Sequence, residues 1–418
     1  MEGWKMKKIK EVAKTTSGGT PSRTNKEFYN GNILWVKSGE LDDNYIFDTE
    51  EKITQDAVKN SSAKLFPKET ILMAMYGATV GKTAILKKEA TTNQAVCGIF
   101  PNEDNFNNEF LRYQLIFKRE DFLKQRYGGA QPNISQTIIK TFEVVLLPLP
   151  EQRKIAHVLS TVQKAIEQQD KLIRTTTELK KALMQKLFTE GTTGEPQKQT
   201  EIGLVPESWD VVRIENIVNE TKMRDPCREP DKEFSYVDVS SVSNEFFRIE
   251  NATKLLGKDA PSRARKIIHN ESVIFATVRP TLKRIAKITP EFDNQICSTG
   301  YCVLQPKTNQ ITQEYLYQYL QTDFFISKIE KLQRGASYPA VRDTDVKNML
   351  IPLPRINEQI EIDKVLKSFD EKSFILIRKK QTLTALFKTL LHELMTGQRR
   401  VHELEFEALE SLPRYEKS

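Results

Sequence analysis

The sequence predicts a protein built from two similar modules, each of which mixes short strands with helices and ends in one long helix. Two long segments, Glu151–Gly191 and Glu358–Gln398, align without a gap at a constant separation of 207 residues (151 to 358). Each segment begins with Glu-Gln, and each follows a Pro-Leu-Pro triplet, at Pro148–Pro150 and Pro352–Pro354. Self-similarity over such a length is typical of a duplicated structural unit.

The first domain is predicted to span residues 1–150, where short apolar runs alternate with turn residues. Runs rich in β-branched and apolar residues, bounded by Gly, Pro, Asn or Lys, are typical of strands. The candidate strands are Ile33–Val36, Thr70–Met75, Lys82–Leu86, Val96–Phe100 and Val144–Leu147. A helix is predicted at Asn108–Phe117, because Phe110, Leu111 and Leu115 share one face.

Residues 151–190 are predicted to form the first long helix. Apolar residues recur at steps of four, three, four and seven, which is the pattern of a coiled-coil seam. They are Ile155, Leu159, Val162, Ile166, Ile173, Leu183 and Leu187, with the polar residues Gln169 and Thr176 on the same stripe. About 40 residues at 1.5 Å each give a rod of roughly 60 Å.

The second half of the chain repeats this order. Residues 191–208 are predicted to be a linker, because Gly, Pro and Thr interrupt helices. Residues 209–354 are predicted to form the second domain, residues 355–398 the second long helix, and residues 399–418 a C-terminal tail.

The long helices resemble each other more than the domains do. The domains align at separations that drift, from 201 residues at Asn93-Gln94 and Asn294-Gln295 to 206 residues at Gly129 and Gly335. Two different recognition specificities would produce this contrast, and so would the greater tolerance of loops to change after a duplication. The sequence leaves both explanations open.

Composition gives weaker information about function. The net charge of +7 and the pI of about 8.9 are mildly basic, which alone says little about nucleic acid binding. The cysteines Cys97, Cys227, Cys297 and Cys302 form no C-x-x-C pair, so we expect reduced thiols and no zinc site. No apolar run has the length of a signal-peptide core or a membrane span. We therefore expect a cytoplasmic protein.

The motif that comes closest to a catalytic one is Gly77–Thr83, which resembles a phosphate-binding loop. It has three residues between its glycines where such a loop needs four, and a strand-like run follows where a helix should begin. A turn between two strands is favoured, with Lys82 facing DNA phosphate. No G-x-G-x-x-G follows a strand. The acidic residues Glu40, Asp42 and Asp43 are interpreted as a solvated turn in preference to a magnesium site, so we expect no bound metal and no catalysis.

A basic cluster in the second domain is the first indication of DNA binding. The segment Arg263–Lys287 holds seven basic residues against one acidic residue, Glu271. Arg and Lys bind phosphates, and Arg also recognises guanine through two hydrogen bonds. The alternative is a solvated charged face. The candidate DNA-contacting residues of this cluster are Arg263, Arg265, Arg279, Lys283 and Arg284.

Two loops at matching positions supply further candidates. Gly lets a backbone approach DNA closely, Tyr stacks on bases or sugars, and Gln and Asn bind adenine through paired hydrogen bonds. A polar loop without contact to DNA is the alternative for both, and capping of turns is slightly favoured for Asn93-Gln94 and Asn294-Gln295. The candidates are Arg126, Tyr127, Gln131 and Asn133 in the first domain and Arg334, Ser337 and Tyr338 in the second, together with Arg23, Lys37, Tyr76 and Lys82.

Taken in order, these motifs resemble those of the specificity subunit of a Type I restriction-modification system. The resemblance is carried by the duplicated Pro-Leu-Pro and Glu-Gln helix block, by ILMAMYGATVGKTAIL, GGAQPNIS and TEIGLVPESW, and by LMTGQRRV after the second helix. It implies an α+β fold with a pseudo-twofold internal repeat, in which two long antiparallel coiled-coil helices join two globular target-recognition domains. The second domain departs from the pattern, with Arg279-Pro280-Thr281 in place of Gly77-Ala78-Thr79.

The resemblance also implies a function and partners. Each domain would recognise one half of an asymmetric bipartite target on double-stranded DNA, and the helices would hold the domains at a fixed spacing. Two modification subunits would supply S-adenosylmethionine and methylate adenine, and a motor-nuclease subunit would use ATP and Mg²⁺. This chain itself would bind no cofactor. The helix residues Phe374, Ile375, Ile377 and Phe387 are candidates for binding the modification subunits or, alternatively, for widening the intramolecular core.

Three other functions remain open from the sequence. The chain would fit a specificity subunit of a combined methylase-nuclease, or Type II-like, system. A second alternative is an enzyme, in which the loop Gly77–Thr83 would bind nucleotide. The third alternative is a coiled-coil assembly protein that never contacts DNA.

Overall fold

The computed structural model describes residues 4–124 and 133–401, and the chain divides into two compact units. Unit 1 contains Met1–Gln168 and Lys380–Ser418, and unit 2 contains Gln169–Lys379. Each long helix therefore begins in one unit and ends in the other. The four cysteines are free thiols, and all except Cys227 are buried.

Short strands and helices precede the first long helix. The strands are β1 (Lys5–Lys8), β2 (Ala13–Ser17), β3 (Tyr29–Val36), β4 (Asn44–Ile46), β5 (Lys52–Ile53), β6 (Ile71–Ala74), β7 (Thr83–Leu86), β8 (Ala90–Thr92), β9 (Val96–Pro101) and β10 (Glu143–Leu146). The helices are α1 (Ile9–Val12), α2 (Gln55–Lys59), α3 (Asn108–Phe117), α4 (Arg119–Lys124), α5 (Gln136–Thr141) and the long α6 (Leu149–Glu190).

The centre of unit 1 is a sheet with the strand order β2-β9-β6-β7-β4. Successive side chains of β6 point to opposite faces, as the pleat requires. Ile71 and Met73 pack into the core that includes helix α3. Leu72 and Ala74 pack into a second core with Leu34 of the smaller sheet β5-β3-β8. The large sheet is therefore covered on both faces.

The remaining elements follow α6. The strands are β11 (Gln197–Thr200), β12 (Gly203–Pro206), β13 (Asp210–Arg213), β14 (Val218–Asn219), β15 (Glu233–Val237), β16 (Val242–Ser243), β17 (Arg248–Ile249), β18 (Thr253–Leu256), β19 (Ala264–Ile268), β20 (Val273–Ala276), β21 (Ile285–Lys287), β22 (Gln295–Ser298), β23 (Tyr301–Pro306) and β24 (Leu350–Leu353). The helices are α7 (Ile214–Ile217), α8 (Gln313–Leu320), α9 (Asp323–Lys331), α10 (Asp343–Lys347) and the long α11 (Ile356–Thr396).

Unit 2 repeats the topology of unit 1. Its sheets β14-β23-β20-β21 and β18-β15-β22-β19 correspond to the two sheets of unit 1, and the ladder β13-β24 corresponds to β1-β10. Strand β20 divides its side chains as β6 does, with Val273 and Phe275 on the face covered by α8 and α9. Ile274 and Ala276 lie in a second core on the opposite face. The internal repeat predicted from the sequence is present in the fold.

The two long helices run antiparallel, as expected. In unit 1, Ile155 and Leu159 near the start of α6 share a core with Leu390 and Leu394 near the end of α11. In unit 2, Leu187 near the end of α6 shares a core with Ile362 near the start of α11. The polar seam residues Gln169 and Thr176 are also buried.

The second residue of the repeated Glu-Gln pair has the same structural role in both units. Gln152 accepts a hydrogen bond from the N–H of Asn107 (2.9 Å) and donates to the carbonyl oxygens of Asn105 (2.9 Å) and Leu147 (2.8 Å). Gln359 makes the same three kinds of bond, with Thr312, Gln310 and Pro354. Both side chains are fully buried. Each glutamine therefore fixes the start of a long helix to the residues just before a domain helix, α3 in unit 1 and α8 in unit 2.

Three differences between the observed and the predicted element boundaries have a clear local cause. Helix α6 begins at Leu149, inside the Pro-Leu-Pro triplet, because proline is tolerated in the first turn of a helix. Helix α11 ends at Thr396, because Gly397 has a positive φ of 71°. The segment predicted to be a linker, residues 191–208, contains the antiparallel pair β11–β12, whose turn is closed by a hydrogen bond from Thr200 Oγ1 to the Gly203 oxygen (2.7 Å).

Candidate nucleic-acid interface

In unit 1, the end of β6 meets two loops that are distant in sequence. The N–H of Met75 donates to the Ala95 oxygen (2.8 Å), and the Met75 oxygen accepts from the N–H of Ile134 (2.7 Å). Tyr76 forms an isolated β-bridge with Asn133. The structure thus brings two predicted DNA-contacting residues, Tyr76 and Asn133, to the same edge.

Gln94 lies at this edge and was missing from the predicted site residues. Its side chain is exposed and accepts a hydrogen bond from the hydroxyl of Thr20. Burial raises the pKa of Tyr76, and a hydrogen bond with Gln94 partly offsets that shift. Asn93 caps the turn, as predicted, by accepting from the N–H of Ala95 (3.2 Å). The signal in the sequence was the pair of amides itself, of which only the first is used for capping.

Arg23 and Lys37 share a carboxylate. Arg23 donates to both oxygens of Glu51 (2.6 and 3.2 Å), and Lys37 donates to Glu51 (3.2 Å) and to Glu50 (2.8 Å). The Arg23 guanidinium also lies over the ring of Tyr29, 4.5 Å from its centroid. Hydrogen bonding from Arg23 holds the pKa of Glu51 below its usual range. These two cations are therefore largely neutralised in the free chain.

The loop Gly77–Thr83 is a turn between β6 and β7, which pair antiparallel, so the prediction of a turn is confirmed. Lys82, expected to face phosphate, forms an ion pair with Asp42. Asp43 accepts from the N–H of Thr83 (3.0 Å) and pairs with Arg119. The three carboxylates interpreted as a solvated turn are thus held by protein donors, with Glu40 accepting from the N–H of Lys37 (2.9 Å).

Three predicted residues of unit 1, Arg126, Tyr127 and Gln131, lie outside the described residues. The neighbouring Asn133 is described and exposed.

In unit 2, the end of β20 likewise meets two loops that are distant in sequence. The N–H of Thr277 donates to the Gly300 oxygen (2.8 Å), and the Thr277 oxygen accepts from the N–H of Val341 (2.9 Å). Val278 forms the isolated bridge with Ala340 that Tyr76 forms with Asn133. The loop 334–340, which contains Ser337 and Tyr338, therefore lies beside the residues that follow β20.

Arg279 is the first exposed residue of the segment that follows β20. The guanidinium lies over the ring of Tyr338, 4.9 Å from the centroid. One of its terminal nitrogens is 3.5 Å from the Ser337 oxygen. The structure thus brings together the predicted residues Arg279, Ser337 and Tyr338. Arg263 is exposed on the neighbouring turn, where its carbonyl oxygen accepts from the N–H of Thr299 (2.8 Å).

Other basic residues of the predicted cluster contact protein groups. Lys283 pairs with Asp323 (3.0 Å), Arg334 with Asp345 (2.9 Å) and Arg265 with Asp225 (3.5 Å). These side chains are partly exposed, so each pair leaves the cation accessible but neutralised.

The prediction that Arg284 contacts DNA conflicts with its surroundings. One terminal nitrogen donates to the Val242 oxygen and lies 3.4 Å from the Val239 oxygen and 3.5 Å from the Ser240 oxygen. A guanidinium that bonds backbone carbonyls in this way fixes a loop and has fewer donors left for DNA. The basic pattern of the sequence could not reveal these acceptors, since they lie more than 40 residues away.

The alignment of Asn294-Gln295 with Asn93-Gln94 was wrong. Strand β22 pairs parallel with β15 as β8 pairs parallel with β3, so β22 corresponds to β8. Asn93-Gln94 follows β8, whereas Gln295 begins β22 and accepts from the N–H of Ser235 (2.7 Å). The residues of unit 2 that correspond to Gln94 and Ala95 are Thr299 and Gly300.

The candidate partner-binding residues differ in accessibility. Ile375 is 63% exposed, whereas Ile377 is buried. Phe374 packs against Phe246 in unit 2, with ring centroids 5.5 Å apart. Phe387 packs against Tyr113 in unit 1, with centroids 6.0 Å apart. Of these four, Ile375 alone presents most of its surface, and Ile377 belongs to the intramolecular core.

Neither a membrane-crossing helix nor a metal-binding group of His, Cys, Asp and Glu is found in residues 4–124 and 133–401.

Comparisons with known proteins agree with this geometry. The family model for the Type I restriction modification DNA specificity domain matches twice, at residues 1–174 and 206–385. Two curated relatives come from Methanocaldococcus jannaschii. The Type I restriction enzyme MjaVIII specificity subunit is 24% identical over 97% of this chain and 95% of its own length. The MjaIX specificity subunit is 26% identical over 96% and 94%.

A solved structure extends the comparison to the fold. The S subunit of a Type-I restriction-modification system from M. genitalium superposes with a TM-score of 0.63, covering 94% of this chain and 96% of that chain at 16% identity. At this identity the likeness shows the fold alone.

Two similar domains joined by paired long helices, each matching a DNA specificity domain, define the class of modular DNA-recognition proteins. The chain belongs to the Type I restriction-modification specificity-subunit family. Such a subunit is the non-catalytic, DNA-recognising part of the enzyme, and the family implies no catalytic cofactor on this chain. It works in a complex with DNA and other restriction-modification subunits.

Proposed function

We propose that unit 1 and unit 2 each recognise one half of an asymmetric, bipartite site on double-stranded DNA. The observation that carries this proposal is the pair of equivalent edges described above. Both edges are formed by the end of a central strand, the turn that leads into its neighbouring strand (β9 or β23) and the loop before the last short helix. Because the same backbone presents different exposed side chains in the two units, the two half-sites should differ in sequence.

The chemistry of the two edges supports different half-sites. In unit 1 the exposed side chains are the amides of Gln94 and Asn133 beside Tyr76. Amides bind adenine through paired hydrogen bonds. In unit 2 they are the guanidinium groups of Arg263 and Arg279 beside Tyr338.

Phosphate contacts would come from the paired cations. Lys37, Lys283 and Arg334 are accessible but held by carboxylates. A DNA phosphate would have to replace those carboxylates, so binding should be weak at high salt and should depend steeply on salt concentration.

We further propose that the long helices bind two modification subunits, which carry S-adenosylmethionine and methylate adenine, and that a motor-nuclease subunit using ATP and Mg²⁺ joins them. Exposed apolar side chains on the helices support this. Leu172 and Leu179 on α6 are 45% and 55% exposed and lie seven residues apart, hence on one face. Ile375 on α11 is 63% exposed. The complex would act in the cytoplasm, where it meets chromosomal DNA.

A map of methylated adenines in the host genome tests the proposal. The expected result is a motif with two unlike specific halves separated by a non-specific spacer, and its loss when this gene is deleted. A continuous motif, or a map unchanged by the deletion, would contradict the proposal.

The Type II-like alternative is not favoured, since the relatives described above are named as Type I subunits. It predicts one combined methylase-nuclease partner on co-purification, whereas the Type I assembly predicts separate modification and motor subunits.

A further inference from the structure

The backbone at Arg279 adopts a conformation that few arginines adopt. Its φ of 48° and ψ of 55° are left-handed, and the following residue is Pro280. A non-glycine residue in this region is strained and persists only where its surroundings impose it. Here the N–H of Arg279 donates to the Pro339 oxygen (2.7 Å), and its own oxygen accepts from the N–H of Leu282 (3.0 Å). The direction in which the side chain leaves the backbone is therefore fixed.

The side chain is also held by stacking. The guanidinium lies 4.9 Å from the centroid of the Tyr338 ring, and that ring is 72% exposed. Stacking covers one face of the planar guanidinium and leaves the N–H groups along its edge available. The single contact to the Ser337 oxygen, at 3.5 Å, is too long to occupy those donors fully.

Arg279 differs from most of its basic neighbours in lacking an acidic partner. Lys283, Arg265 and Arg334 each form an ion pair. Lys266 and Lys287 are paired with Asp343 and Glu314, both at 2.5 Å. Among the described residues, no carboxylate lies within ion-pairing distance of Arg279. Its charge and its donors are thus available without breaking an existing pair.

Unit 1 offers a natural reference at the same backbone position. Two residues after Met75, which corresponds to Thr277, stands Gly77 with a φ of 91°. A Cβ placed on Gly77 would meet no atom of the described residues within 4 Å. Both units therefore turn the chain with a left-handed residue here, but unit 2 alone carries a side chain on it.

We propose that Arg279 determines specificity in the second half-site by recognising the guanine of a G·C base pair, with Tyr338 as a positioning residue. This rests on the proposed function. Arginine donates two parallel hydrogen bonds to O6 and N7 of guanine, the commonest specific contact in the major groove. A rigid, stacked guanidinium suits this contact because little side-chain freedom is lost on binding.

The test compares adenine-methylation maps of host strains that carry wild-type, R279G or R279K alleles. R279G is the sharpest variant, since glycine occupies the equivalent corner of unit 1 and favours a positive φ. The wild-type map should contain an invariant G·C pair in one half-site. With R279G, preference for that pair should fall about ten- to a hundredfold, while the other half-site stays unchanged. R279K should keep methylation but relax the same position, because lysine lacks the planar fork.

Two further variants separate recognition from general effects. Lys254→Ala removes an exposed cation on β18 in the same unit and should leave the motif unchanged. Y338F keeps the ring and should retain the wild-type motif, whereas Y338A should relax the position partly. A merely structural role for Tyr338 would lower total methylation in Y338A without altering the motif.

The outcomes distinguish the two proposals. Absence of any bipartite motif that depends on this chain would remove the proposed function itself. A bipartite motif that R279G and R279K leave intact would overturn the role of Arg279 alone, and equal loss in both half-sites would make Arg279 a phosphate contact. If both variants abolish methylation, binding of the purified complexes to duplexes with G·C or A·T at the position decides. The proposal then requires that the wild-type complex binds the G·C duplex at least about tenfold more tightly than the A·T duplex. In the variants this ratio should fall towards one.

Discussion

The central sheets of unit 1 and unit 2 share the orders β2-β9-β6-β7 and β14-β23-β20-β21 and make the same strand-to-loop contacts, yet the two units expose different chemistry at the same place. Gly77 and Arg279 occupy equivalent left-handed corners. Gln94 and Thr299 occupy equivalent turns. The carbonyl oxygens of the next residues, Ala95 and Gly300, accept hydrogen bonds from the N–H groups at the end of the central strand. The comparison shows that the backbone of the recognition edge is separable from the side chains it presents.

The buried contacts to the long helices, in contrast, use the same side chain in both units. Gln152 and Gln359 make the same three hydrogen bonds in the two units. The long helices also align without a gap, and each is attached to its domain through the same three kinds of hydrogen bond. The two units therefore attach to the long helices in the same way but differ at their exposed edges. This combination is expected of one scaffold that recognises two targets.

The largest effect is expected from removing these glutamines. Gln152→Ala or Gln359→Ala should lower the free energy of unfolding by about 3 kcal/mol, because buried backbone groups lose their partners and a cavity remains. Denaturant unfolding measures the change. Gln168→Ala, at an exposed position of α6, is the control and should stay within about 0.5 kcal/mol of wild type. A large loss in one unit only would break the equivalence of the two attachments.

A second difference between the units is a buried carboxyl group. Asp363 accepts from the hydroxyl of Thr312 (2.6 Å), and burial raises its pKa to about 7. The corresponding residue of α6 is Ala156. Because the folded state holds this proton more tightly than the unfolded state, the stabilising contribution is complete below about pH 4 and is lost as the pH rises to about 7.

Asp363→Asn should therefore be more stable than wild type by about 1–2 kcal/mol at pH 8 and nearly equal to it at pH 4. Thermal unfolding across this range measures the difference. Asp231→Asn, at an exposed position, should leave the pH profile unchanged. A wild-type profile that is flat between pH 4 and 7 would contradict the shift.

Substitutions at the two left-handed corners should change the free energy of unfolding in opposite directions. R279G should stabilise the chain by about 0.5–1 kcal/mol by relieving backbone strain, and Gly77→Ala should destabilise it by about 1 kcal/mol by introducing strain. Gly39→Ala serves as a control, because Gly39 has open space and no positive φ. If R279G destabilised the chain instead, stacking on Tyr338 would outweigh the strain.

The smallest effect is expected from the carboxylate that Arg23 and Lys37 share. Glu51→Gln should raise the affinity of the chain for non-specific duplex DNA about two- to fivefold, since both cations lose a competing anion. It should also steepen the salt dependence by about one phosphate contact. Titration at several salt concentrations measures both quantities. Glu103→Gln, an exposed acid of the same unit, should change neither beyond error, and an equal gain there would indicate a general charge effect.

Local signals explain what the sequence could predict. Helix α3 was predicted with the bounds it has, because its apolar face is regular and Asn107 caps it by accepting from the N–H of Phe110 (3.0 Å). The Gly77–Thr83 turn was predicted because its glycine spacing and the following strand are local features. The duplication itself was visible because the attachments of the long helices use the same residues.

Contacts between distant residues explain what the sequence could not predict. Lys82 and Asp42 are 40 residues apart, and Arg284 bonds a carbonyl 42 residues before it. No periodicity marks such partners, so basic residues that are neutralised and basic residues that are available looked alike. Gln94 was left out because both amides were expected to cap the turn, whereas only Asn93 does so.

The open space above Gly77 has an evolutionary consequence. A Cβ at that corner would meet no atom of the described residues within 4 Å, so the cost of adding one lies in the local backbone. A single codon change there could alter which chromosomal sites the host marks without first producing a misfolded ancestor. Lineages could then diversify their methylation patterns in small inherited steps, one half of the motif at a time.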